Sequence, residues 1–80
     1  MNHSSLSTLS MGESAYVQGV EAESAMSRRL MDLGLIRGTR VTCVLRNRTG
    51  DLAAYSIRGA VIALRAEDAR GVLLHSTQLQ

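Results

Sequence analysis

The sequence has no phenylalanine, no tryptophan, no proline and no lysine, and it has a single cysteine. With only Tyr16 and Tyr55 as large rings, the core must be aliphatic, filled by leucine, valine, alanine and the four methionines. The same shortage removes the stacking platforms on which single-stranded nucleic acids are read, and the aromatic-lined grooves that take proline-rich peptides. One cysteine, Cys43, excludes an internal disulfide and fits a reducing compartment. Met1 to Ser5 hold no basic stretch leading into an apolar run, so no secretory signal is expected. No apolar run approaches the roughly 18–20 residues that span a bilayer. These absences predict a cytoplasmic chain that meets a membrane only through a partner.

The reactive groups are equally sparse. His3 and His75 are the only histidines, and neither has a second ligand at metal-site spacing. Cys43 lies between Val41 and Leu45 on an alternating strand, the setting of a small core side chain rather than a reactive thiol. Glu21 with Glu23 suits a helix start, and Glu67 with Asp68 an exposed turn. Gly34 and Gly38 lack the Lys and Ser/Thr that would complete a phosphate-binding loop. An 80-residue domain buries only about 60–65% of its unfolded surface and has little room for a cleft. The reading is one domain over 1–80, with its core at about residues 6–75, no catalytic residues, no cofactor and no metal site.

What is present is a patterned β chain. Leu6 and Leu9 fall from a short turn toward the core. A first strand is expected at Ala15–Val20, with Ala15 and Val17 inward. A helix follows at about Ala22–Leu33, with Met26, Leu30 and Leu33 on one face and Gly34 as its stop. Leu35 can fold back onto the last turn. A second strand, Thr39–Arg46, places Val41, Cys43 and Leu45 inward. Asn47–Asp51 makes a hairpin loop. A third strand, Leu52–Arg58, turns inward Tyr55 and Ile57; after Gly59 a fourth, Ala60–Arg65, turns inward Ile62 and Leu64. Ala66–Arg70 fits one 3₁₀ turn, and Val72–His75 a last strand with Val72 and Leu74 inward. The fold class is mainly β: a small barrel of about five antiparallel strands, one α-helix between strands one and two, and a 3₁₀ turn before the last strand.

Several of these residues fall into a familiar order. Leu6-x-x-Leu9-x-x-Gly12 is followed by Arg29-Leu30-x-x-Leu33-Gly34-Leu35-x-x-Gly38-Thr39-x-Val41, then Gly50-Asp51, then Gly59-x-x-x-Ala63-Leu64-Arg65-x-x-x-Ala69. The pattern resembles the FeoA family of small cytosolic proteins of bacterial ferrous-iron uptake. The resemblance implies an SH3-like barrel and a non-enzymatic role supporting the FeoB-type transporter, a membrane protein with a cytosolic GTP-binding domain. It does not make the chain an iron carrier. The same domain is similar to the C-terminal module of iron- and manganese-dependent repressors, which gives the alternative of a regulatory, nucleic-acid-linked module. Two turns depart from the family's habit: Arg37 and Leu52 stand where many members have proline, which leaves both turns less rigid.

All nine basic residues are arginine and the net charge is +2, so planar bidentate partners are favoured without a strong field. Arg46, Arg48 and Arg58 are expected around one hairpin, and Arg28, Arg29 and Arg37 around the helix end. If the inward assignments hold, Val44, Val61 and Leu73 face out, and Leu35 and Ile36 sit at an exposed turn. Contiguous apolar surface of that kind marks a partner site. The expected partner-binding residues are Tyr16, Leu35, Ile36, Arg37, Val44, Arg46, Val61 and Leu73, with a homodimer seam as the other use of the same patch.

Overall fold

The computed structural model describes residues 4–21 and 25–75. In chain order they form β1 (Ser4–Ser5), a 3₁₀ turn (Leu6–Thr8), β2 (Ser14–Val20), α1 (Ala25–Asp32), β3 (Arg40–Arg46), β4 (Leu52–Ile57), β5 (Ala60–Arg65), α2 (Ala66–Ala69) and β6 (Val72–Leu74). The strands make one antiparallel sheet in the order β1-β6-β2-β3-β4-β5. One buried cluster draws side chains from every strand after β1, among them Val17, Val41, Tyr55, Leu64 and Val72, so the sheet wraps around a single core. Six strands stand where about five were expected, because Ser4–Ser5 pairs with Leu73–Leu74. The helix occupies the second part of the range expected for it; Ala22, Glu23 and Ser24 lie outside the described residues.

The turn before β6 is one α turn rather than 3₁₀, since the Arg70 N–H reaches back four residues to the Ala66 carbonyl at 2.9 Å. The 3₁₀ geometry is at Leu6–Thr8, which buries Leu6 and delivers Leu9 to the core as expected. In α1 Ser27 is buried, and Leu30 almost completely so. Met26 and Leu33, placed on the same face by spacing, flank it half in solvent.

The end of α1 explains the glycine-leucine pair that follows it. Gly34 has φ +107°, where only glycine avoids a Cβ penalty. The Leu35 N–H bonds to the Leu30 carbonyl at 3.1 Å and the Gly34 N–H to the Met31 carbonyl at 3.0 Å, the paired bonds of a Schellman cap. That cap turns Leu35 inward beside Leu30, and Leu35 is fully buried. It does not belong to an exposed turn.

β3 carries the second difference. Cys43 pairs with Tyr55, but Leu45 pairs with Ala54, so an extra residue sits between them as a bulge. The bulge reverses the alternation. Leu45, expected inward, is 60% exposed, and Val44 beside it is 45% exposed. Arg46, expected outward, lies opposite the buried Ala53 and donates from its guanidinium to the Leu9 carbonyl. The β4–β5 connection is a two-residue turn in which Arg58 (φ +51°) and Gly59 (φ +87°) both lie in the left-handed region, as a type I′ hairpin requires.

The Asn47–Asp51 loop is held by its own side chains. Asp51 accepts from Thr49 Oγ1 at 2.6 Å and Asn47 Nδ2 at 2.9 Å, and these bonds hold its carboxyl below the usual range. A depressed folded pKa means the contribution is complete above the unfolded value and is lost as pH falls through the folded one. Amide shifts of Gly50 and Thr49 should therefore stay native down to about pH 4 and change only below it. A loop transition centred above the ordinary aspartate range would contradict the assignment.

Candidate functional site

The described surface carries several hollows. One, about 570 Å³, lies between the Asn47–Asp51 loop and α2, lined by Asn47, Asp51, Arg65, Glu67 and Arg70 among others. A second, about 380 Å³, runs between α1 and β5 and is lined by Met26, Leu33, Ile62, Ala63 and Leu64 among others. A third, about 450 Å³, lies at the barrel end formed by the α1–β3 turn and the β4–β5 hairpin. Among the described residues no three His, Cys, Asp or Glu side chains converge as metal ligands would. Cys43 is buried as a free thiol and points at the Leu45 carbonyl (3.9 Å). His75 is half-buried just past β6, where its N–H bonds to the Tyr16 carbonyl.

The surface worth building from is the outer face of β3, β4 and β5. The register lays two adjacent rows across it. Leu45, Ala54 and Ala63 stand side by side, and Thr42, Ser56 and Val61 form the next row. Val61 is 66% exposed. With Val44 on the bulge and Ala63 continuing into the α1–β5 hollow, this makes a connected apolar strip on the outer side. Isolated exposed valines are ordinary; neighbouring ones across three strands are the pattern of a contact surface.

The residues expected at a partner site divide accordingly. Val44 and Val61 share the strip. Tyr16, Ile36 and Arg37 are exposed around the third hollow, at the end of the same face. Leu35 and Arg46 face the interior. Leu73 is half-buried in β6, between β1 and β2, and β2 separates it from the strip. The expected arginine clusters also regroup: Arg58 leaves Arg46 and Arg48 at the far end of the hairpin and joins Arg37 and Arg40. Leu45, Arg40 and Arg58 were missed. Alternation alone hides Leu45, whereas the two-residue Arg58-Gly59 turn, once recognised, puts Arg58 at the barrel end that also carries Arg37 and Arg40.

No helix among the described residues is long and apolar enough to cross a membrane. The FeoA domain family matches residues 4–75. Among solved structures, FeoA of Chlorobium tepidum is 36% identical, with 94% of this chain and 71% of that one covered and a TM-score of 0.83. FeoA of Stenotrophomonas maltophilia, solved with zinc and described as an SH3 domain protein, is 30% identical over 90% of this chain and 89% of that one, at a TM-score of 0.82. A manganese-dependent transcriptional repressor shares the fold alone: 19% identity, 92% of this chain, 41% of that one, TM-score 0.80. No curated protein matches the sequence. A family pattern that runs through every strand, together with this SH3-like barrel, makes the chain a member of the FeoA family.

Proposed function

We propose that this chain is a non-enzymatic, cytoplasmic accessory protein of bacterial ferrous-iron uptake that docks on the cytosolic region of a FeoB-type GTP-binding transporter and supports its assembly or activity. Family membership supports the iron-uptake setting, and for the Stenotrophomonas relative a role as a bacterial ferrous iron transport activating factor has been suggested. The observation that carries the docking is the uncovered strip of Val44, Leu45, Ala63 and Val61 on the outer face of β3–β5. None of these side chains supports the core, so their exposure is available to a partner.

Capture by the transporter's purified cytosolic region tests this. Leu45→Asp with Val61→Asp should lower the melting temperature by no more than about 4–8 °C, because both residues are solvent-exposed and each change costs about 0.5 kcal/mol at most. Capture should weaken by about 2 kcal/mol or more, roughly thirtyfold, as expected for central apolar contacts. Undiminished capture by a folded double variant places the contact elsewhere. Concentration-dependent self-association that the same variant abolishes would assign the strip to a homodimer instead.

A further inference from the structure

Three arginines stand together at the barrel end with no counter-charge among the described residues. Arg37, Arg40 and Arg58 line the third hollow together with Ile36. Arg37 and Arg58 make no hydrogen bond or ion pair with any described residue. Arg40 has one weak contact, from its guanidinium to Ser14 Oγ at 3.4 Å. Tyr16 pairs with Arg40 from β2, and Arg58 opens the β4–β5 turn directly after Ile57, the partner of Val41. Like charges gathered on one hollow repel. Arg58 also holds φ +51°, a region few side-chain-bearing residues occupy. Its stem lies over Gly34: a Cβ on that glycine would stand 2.5 Å from Arg58 Cδ. The missing Gly34 side chain thus leaves a notch through which Arg58 reaches the hollow.

We infer that this arginine-rimmed hollow binds an acidic polypeptide segment of a partner protein, one that carries two or more carboxylates beside an apolar residue. The inference rests on the docking reading and names its partner chemistry. The guanidinium forks suit carboxylates bidentately, while the exposed Ile36 of the same lining supplies apolar contact. A phosphate is a poorer occupant. It favours a cradle of free backbone N–H groups, and here the N–H groups of Ile36, Gly38 and Thr39 are spent on the carbonyls of Gly34, Val17 and Ile36. Tyr16 alone makes no base-stacking platform.

Fluorescence anisotropy with a labelled peptide of alternating glutamate and leucine tests the inference, with its glutamine counterpart, oligo-dT and phosphatidylserine vesicles as the other probes. The glutamate peptide should bind, and should weaken steeply with salt. Arg37→Glu with Arg58→Glu should lose at least about tenfold in affinity; Arg48→Glu with Arg70→Glu, which changes net charge equally elsewhere, should not. Arg37→Gln with Arg58→Gln repeats the test without introduced carboxylates should the first double variant melt early. No binding by the wild type, equal loss in both pairs, or preference for oligo-dT or vesicles overturns the inference. Capture by the transporter region reads out separately. If the peptide binds and the transporter does not, the docking reading fails and the acidic-segment site stands; if the transporter is captured equally by the Arg37/Arg58 variants, the docking stands and this site is excluded from it.

Discussion

Leu35→Ala should cost about 2–5 kcal/mol, the range for emptying a fully buried leucine site. An 80-residue domain has a total stability of only about 4–12 kcal/mol, so the change takes a large share of it. Leu35 follows the Schellman cap of α1 and shares the buried cluster with Leu30. Truncation therefore leaves a cavity in the core at the end of the helix. Urea unfolding should show a lower midpoint with an unchanged slope. A cost below about 0.5 kcal/mol would mean that Leu35 is an exposed turn residue after all. A charged substitution there would unfold the protein and say nothing about docking.

Tyr55→Ala should be the most damaging single change, at about 3–5 kcal/mol. Tyr55 heads the fully buried side chains by size and sits in β4 between Cys43 and Ile62. It is the only large ring in a core otherwise made of aliphatic chains, so no neighbour can fill its volume. Its hydroxyl donates to the Leu6 carbonyl at 3.3 Å, joining the middle of the sheet to the 3₁₀ turn. Burial pushes the phenol above its ordinary pKa, so it remains a donor throughout the physiological range. Tyr55→Phe keeps the ring and removes the bond, leaving the Leu6 carbonyl without that donor, and should cost about 1 kcal/mol. Equal losses in the two variants would place the energy in the hydroxyl; a Phe variant as stable as wild type would make the bond dispensable.

The outline of this fold was legible because its strands alternate cleanly. Val17, Val41, Cys43, Tyr55, Ile57, Leu64, Val72 and Leu74 are all inward where period-two spacing put them. The errors have two local causes. The run Val41, Cys43, Leu45 continues to alternate through Val44, and nothing in it announces an inserted residue. One bulge then sends Leu45 outward and Arg46 inward together, because side-chain direction has a period of two residues. The run Gly34-Leu35-Ile36 reads as a turn from its glycines, and it is one; but a Schellman cap is frequently accompanied by an apolar contact from the residue just after its glycine, and here Leu35 is buried while Ile36 stays exposed. The candidate site was half visible for the same reasons. Val44, Val61, Tyr16, Ile36 and Arg37 are on the surface, but their best neighbours, Leu45, Arg40 and Arg58, come from pairing register, which a single strand's pattern does not contain.

The two-residue strand β1 has a consequence of its own. Ser4 lies across from Leu74, so the polypeptide enters and leaves the barrel side by side, at the opposite border of the sheet from β5. Such an arrangement lets a barrel of this kind be carried within a longer polypeptide at little topological cost: the manganese-dependent repressor that shares the fold is matched over 41% of its length.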